Sequence, residues 1–157
     1  MGKFQQAMLK RKIDNYINNY YESNPNALLI TGARQIGKTY SIREFGKSFK
    51  SFIEINFVEN PDAIEIFKGA KNSADLLLRL SAITTKPLIK GDTLIFFDEI
   101  QKCKELVTAI KFLVDEGSYR YILSGSLLGV ELNDLRSEPV GYMGIKDMYP
   151  LDFEEFV

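Results

Sequence analysis

Histidine is absent from the chain, and that absence excludes more chemistry than any other feature of the composition. There can be no Ser-His-Asp triad, no Cys-His nucleophile pair and no His-ligated zinc site. The single cysteine, Cys103, cannot close an internal disulfide, a usage that fits a reducing cytoplasm. No apolar run approaches the roughly 18 residues a membrane-spanning helix needs, and the opening MGKFQQAMLKRKID has no apolar stretch of signal-peptide length. The expectation is a cytoplasmic protein without a membrane partner. Internal repeats and low-complexity stretches are also missing. Any chemistry must come from carboxylates, lysine, arginine, hydroxyls and the backbone.

What is present describes one ordinary domain. Of 157 residues, 45% are hydrophobic and 26% charged, enough to bury about two-thirds of the chain surface in a single core. The formal net charge of −1 conceals an asymmetry. Residues 1–50 carry 9 Lys/Arg against 3 Asp/Glu, whereas residues 51–157 carry 11 against 18. A basic front half suits phosphate groups, of a nucleotide or of nucleic acid, and equally suits solvated helix faces. Lys10, Arg11 and Lys12 on the first helix carry the same two readings, and the overall balance does not point to a dedicated DNA-binding domain.

Short β-prone runs alternate with helical patterns, which predicts a parallel sheet with crossover helices. Leu9, Ile13, Tyr16 and Tyr20 give residues 4–22 an amphipathic helical period. Ala27 to Thr31 reads as a buried strand and residues 38–49 as a helix. SFIEINF at 51–57 alternates with period two and reads as a strand. Pro61 to Gly69 is a short helix and Ser73 to Thr84 a longer one, with Leu76, Leu80 and Ile83 on one face. Thr93 to Phe97 is the most hydrophobic strand. Leu106, Ile110, Leu113 and Val114 mark a helix ending at Gly117, which suits a C′ position. Tyr119 to Leu123 and Met143 to Met148 supply two more strands.

The first strand runs into Gly32-Ala33-Arg34-Gln35-Ile36-Gly37-Lys38-Thr39, then a helix. This fits the pattern G-x-x-x-x-G-K-[ST] in its strand–loop–helix setting. Gly32 and Gly37 allow backbone conformations and approach distances that a Cβ blocks. Successive N–H groups from Gly32 to Tyr40 then converge on phosphates at the positive end of the helix. Lys38 places a compact charge on the β/γ oxygens, and the Thr39 hydroxyl suits Mg²⁺. A chance match arises in roughly 0.5% of chains this size. Arg34 sits at a variable position of the pattern, and reaching a phosphate, touching a neighbouring subunit and facing solvent all stay open for it.

The second signal is Leu94-Ile95-Phe96-Phe97-Asp98-Glu99, an apolar strand closed by two carboxylates about 60 residues downstream. Ligands of open α/β sheets sit beyond the carboxyl ends of the strands, so both acids are expected to face the phosphate loop. Asp98 would position Mg²⁺, and Glu99 would polarise the water that attacks the γ-phosphate. The Asp-Glu order assigns the chain to the P-loop division that has an extra strand between these two. A guanine-reading N-K-x-D motif is missing, which disfavours a GTPase. A small-molecule kinase would need an acceptor pocket and lid for which the chain has no segment. The third strand end, Arg120-Tyr121-Ile122-Leu123-Ser124-Gly125-Ser126, offers Ser124 or Ser126 to a γ-phosphate or water; a plain Ser-Gly-Ser turn remains open.

Together GARQIGKT, LIFFDEIQ, ILSGS and MYPLDFEEF resemble the AAA-like ATPase domain of prokaryotic ATP-binding proteins related to archaeal-type and STAND ATPases, from about Ala27 to Val157. The resemblance includes Gln101 through the DEIQ segment, with orientation of Glu99 or a neighbour as its implied part. It also implies a C-terminal effector domain, often considered nuclease-like, that is missing here. Relatives commonly carry a Gly-Arg pair before the last strand, where this chain has Val140-Gly141-Tyr142. No arginine follows Arg136, which is the one nearby candidate for an arginine finger.

The resulting expectation is an α/β P-loop NTPase, a three-layer sandwich with a five-stranded parallel sheet of order 5-1-4-3-2. Residues 1–26 would form an N-terminal helix packing on an ATPase core of residues 27–157, with a further helix starting at Leu151. The domain would bind ATP and Mg²⁺ and hydrolyse ATP slowly. The alternative is a nucleotide-operated binding switch whose output follows ATP binding rather than turnover. Homo-oligomerisation and nucleic-acid contact stay open as further partnerships.

Overall fold

The structure is a computed structural model that describes residues 2–32, 37–126 and 141–148, with side chains from residue 12 onward. In chain order its elements are α1 (Gly2–Ser23), β1 (Ala27–Gly32), α2 (Lys38–Gly46), β2 (Ser51–Asn56), α3 (Ser73–Ile83), β3 (Thr93–Asp98), α4 (Leu106–Glu116), β4 (Arg120–Gly125) and β5 (Met143–Met148). Two 3₁₀ helices, Pro61–Phe67 and Ile100–Lys102, fill connections. The first of them stands where the sequence suggested a short helix. The loop residues Ala33 to Ile36, Arg136, Val140 and the helix expected from Leu151 lie outside the described residues, as do the side chains of Leu9, Lys10 and Arg11.

All five strands are parallel, in the order β2-β3-β4-β1-β5, which is the order expected from the sequence. Parallel neighbours need crossovers, and α2, α3 and α4 supply them. Strand alternation then divides the core in two. Leu28 and Ile30 of β1, Leu94 and Phe96 of β3, and Ile122 of β4 pack with Ile13, Ile17 and Tyr21 of α1 and Ile42 of α2. Ala27, Leu29, Ile95, Phe97, Tyr121 and Leu123 face the other way, against Leu76 and Leu80 of α3 and Leu106, Ile110 and Leu113 of α4. Every residue of β3 is buried, as its unbroken apolar run requires of a central parallel strand.

Local chemistry sets the element ends. The Asn72 side chain accepts the Asp75 N–H at 2.9 Å and caps α3. Gly117 closes α4 in the left-handed region, φ 83°, where its missing Cβ removes the strain. The first helix is rotated from the face that the period suggested. Its buried stripe is Ile13, Ile17 and Tyr21, while Tyr16 and Tyr20 are half-buried beside β5. The Tyr20 hydroxyl donates to Ala27 O at 2.8 Å and accepts the Gly144 N–H at 3.1 Å, and Lys146 Nζ lies 4.9 Å from the Tyr16 ring centroid. Ile83 also departs from its expected face, because the last residue of α3 overruns the core and stays 45% exposed.

The helices after β1 and β3 lie on opposite faces, α2 in one core and α4 in the other. The strand between them is β4. A crevice therefore opens at its carboxyl end, where doubly wound sheets bind ligands.

Candidate functional site at the carboxyl ends of the strands

The crevice is built from backbone first. Gly37 precedes α2 with φ 76° and ψ 15°, a conformation that places a strain on any residue with a Cβ. It delivers Lys38 as the first helical residue, pointing inward and only 3% exposed. Lys38 Nζ donates to Gly32 O at 2.8 Å and to Gly125 O at 3.2 Å. The ammonium thus bridges the ends of β1 and β4. Thr39 beside it is half-buried, and Tyr40 is half-exposed on the outer side of the helix.

Asp98 is the last residue of β3, 6% exposed, in register with Ser124 on one side and Asn56 on the other. Its Oδ1 accepts the Glu99 N–H at 2.8 Å, and its Oδ2 accepts from Asn56 Nδ2 at 3.4 Å. Burial pushes the Asp98 carboxyl above the ordinary aspartate value. The Glu99 N–H and the Lys38 charge oppose that rise, and the charges of Glu99 and Glu54 add to it. The folded protein therefore binds more protons here than the unfolded chain. Between the ordinary value and the raised one, stability falls as pH rises, and it stays reduced above that window. Asp98→Asn is expected to raise the melting temperature of the nucleotide-free protein at pH 7, with the gain shrinking below pH 4. Thermal unfolding at the two pH values checks this, and equal gains at both would reject it.

Glu99 follows in the left-handed region, φ 59° and ψ 46°, the only non-glycine residue with positive φ among the described residues. The residue is 9% exposed, and its Oε2 accepts from Gln101 Nε2 at 2.6 Å. Ser124 is fully buried, and its hydroxyl has no hydrogen-bond partner among the described residues. Ser126 Oγ donates to Gly32 O at 3.4 Å. Lys38, Asp98, Glu99 and Ser124 thus converge at the ends of β1, β3 and β4. Ala33, Arg34, Gln35 and Ile36 lie outside the described residues.

Several contacts at the site have no motif to announce them. Asn56 touches Asp98, and its Oδ1 also accepts the Val58 and Glu59 N–H groups at 2.8 and 3.1 Å. Thr31 Oγ1 donates to Asp147 Oδ1 at 2.5 Å and ties β1 to β5 beside the loop. Arg43 on α2 holds Glu54 of β2 through two 2.7 Å bonds, and this hydrogen bonding raises the guanidinium pKa. A polar residue at a strand end was the available signal for Asn56, Thr31 and Asp147. Cys103 takes no part in such chemistry: it is buried, and burial pushes its thiol up to about 11.

An all-parallel sheet in this order, opening on a glycine-flanked loop and a buried lysine, defines an α/β domain of the P-loop NTPase type. A family model for the AAA domain matches residues 24–157, and the chain belongs to that family. It is a nucleotide-binding, ATPase-type domain. No curated protein matches the chain. Among solved structures it is similar to PCH-2 of C. elegans, at 12% identity and TM-score 0.41, over 94% of this chain and 41% of that one. It is also similar to the Drosophila ORC bound to DNA, at 18% identity and TM-score 0.47, over 80% of this chain and 37% of that one. The chain thus spans well under half the length of either, and likenesses this faint carry no argument about function. Among the described residues, no helix is long and apolar enough to cross a membrane.

Proposed function

We propose that this domain binds Mg²⁺-ATP at the junction of β1 and α2 and hydrolyses it to ADP and phosphate. The observation that carries the reading is the buried Lys38 ammonium, held on the carbonyls of Gly32 and Gly125 at the mouth of the crevice. Neutral carbonyls are weaker partners for an ammonium than phosphate oxygens, so the amine is set to exchange them for the β/γ oxygens of a nucleotide. The N–H groups of the loop from Gly32 through Ala33, Arg34, Gln35 and Ile36 to Gly37, with those of Lys38, Thr39 and Tyr40, would cradle the phosphates.

Mg²⁺ fits the donors present. Asp98 is a carboxylate whose pKa is raised chiefly by burial, so a cation bound beside it would favour its ionised form, and Thr39 adds a hydroxyl. Among the described residues no cluster of three or more Asp, Glu or Cys side chains forms a ready cage. That suits a cation held by one or two side chains plus substrate phosphates. Bound there, the ion supplies positive charge against the β/γ oxygens. Glu99 takes a proton from water as the water oxygen bonds to the γ-phosphorus and the bond to the ADP oxygen breaks. Ser124, whose buried hydroxyl has no partner among the described residues, would hydrogen-bond the γ-phosphate or the water.

The test is calorimetric titration with ATP, with and without Mg²⁺, alongside assay of phosphate release. Micromolar binding that weakens at least tenfold on chelating Mg²⁺ with EDTA, with release of one phosphate per ADP, is expected. No binding in either condition would overturn the reading. Binding without turnover would remove hydrolysis and leave the nucleotide-operated switch.

A further inference from the structure

We infer that Gly125 is a positioning residue for Glu99, acting through Gln101; the inference rests on the reading of Glu99 as the base. Gln101 Nε2 donates to Glu99 Oε2 at 2.6 Å. An ionised carboxylate only accepts, so the amide NH₂ must face Glu99 and the amide oxygen must face away. That oxygen is buried and has no hydrogen-bond partner among the described residues. Among the described residues nothing polar fixes its end of the amide, and its seat there is steric. The seat is the bare Cα of Gly125. A Cβ built at position 125 would lie 2.8 Å from Gln101 Oε1, 3.0 Å from Ile100 Cγ1 and 3.4 Å from the Ile100 N atom. No side chain fits at 125 while the amide occupies this place.

The same residue also holds the lysine, since Gly125 O accepts from Lys38 Nζ at 3.2 Å. One glycine at the end of β4 therefore faces the phosphate-binding amine with its carbonyl and the amide that aims Glu99 with its Cα. Glu99 stands outside the β3 direction in the left-handed conformation, so its carboxylate is not aimed by the strand. The Gln101 amide is a contact that aims it. Gly125 is needed here for the space it leaves, since its φ is not positive and it is not required for a turn.

The test is a double-mutant cycle on Gly125→Ala and Gln101→Ala, with kcat, KM, melting temperature and the Gln101 side-chain amide resonance as readouts. Each single variant is expected to lower kcat about tenfold or more with KM changed less than about threefold. Gly125→Ala should lower kcat much less in the Gln101→Ala background, because the contact with Gln101 and its hold on Glu99 vanish together and only the contact with Ile100 remains. If Gly125→Ala alone folds poorly, the double variant should recover part of its melting temperature, the contact with Ile100 remaining. In the wild type the Gln101 amide resonance should be displaced by its carboxylate partner, and Glu99→Ala and Gly125→Ala should each abolish the displacement. Losses that multiply in the double variant, or an amide resonance unmoved by Gly125→Ala, would overturn the inference. A wild type that binds ATP without turning it over would sink the base reading alone, and the resonance would still decide the role of Gly125.

Discussion

Replacing Glu99 by glutamine is expected to reduce ATP turnover by ~10²–10⁴-fold, the contribution of a positioned general base, while leaving ATP binding intact. The substitution keeps the shape of the side chain. Its amide carbonyl can still accept from Gln101 Nε2, the partner that now lies 2.6 Å from the carboxylate, so the local packing has no reason to collapse. Only the capacity to take a proton is lost. Electrostatics favours retained affinity, because the Glu99 charge is one of the influences raising the Asp98 carboxyl. Removing it makes Asp98 easier to ionise and a better cation ligand. Phosphate release and calorimetry on the same preparation separate the two effects. Turnover at the wild-type rate would move the base elsewhere.

The second large effect belongs to Lys38. Lys38→Ala removes a charge-assisted contact of about 1.5–3 kcal/mol and should weaken ATP by about ten- to a hundredfold. The structure adds a complication that the motif alone does not reveal. The Lys38 ammonium also satisfies Gly32 O and Gly125 O, so the variant strips a donor from the buried end of β4. Some loss of stability should accompany the loss of affinity. Lys38→Met, which keeps most of the aliphatic stem, separates packing from charge. Both variants should bind ATP weakly, with the methionine variant melting higher than the alanine variant. Unchanged ATP affinity in both, measured by titration calorimetry, would dismiss the assignment.

The sheet order was legible because the Asp-Glu pair after an apolar strand assigns the chain to a division with an inserted strand, and the insertion is β4 between β3 and β1. Strand ends were legible for the same local reason: Asp98 and Ser124 stand where an apolar run meets polar residues. Contacts across the sheet were not. Asn56 meets Asp98 across 42 residues of chain, and Thr31 meets Asp147 across 116, so both depend on register that no local pattern encodes. The seat of Gln101 on Gly125 depends on the same pairing. The phase of α1 was legible in part: Ile13 is buried and Tyr16 and Tyr20 pack against the same core from its rim, while the fully buried stripe continues through Ile17 and Tyr21. Tyrosine carries a polar tip, and the Tyr20 hydroxyl is used at the rim, on Ala27 and Gly144.

Where a family match begins and where a fold begins are different boundaries in this chain. The AAA match starts at residue 24, yet α1 ends at Ser23 and supplies Ile13, Ile17 and Tyr21 to one face of the sheet. Tyr21 also donates its hydroxyl to the Tyr121 carbonyl of β4, and Tyr20 bolts β1 to β5. Trimming an expression clone to the matched segment would uncover Leu28, Ile30 and Ile122 together and loosen the edge strand beside the phosphate loop. Such a product is expected to associate through that uncovered face or the freed edge. The helix that carries none of the motif is, in practical terms, the lid of the protein's own core.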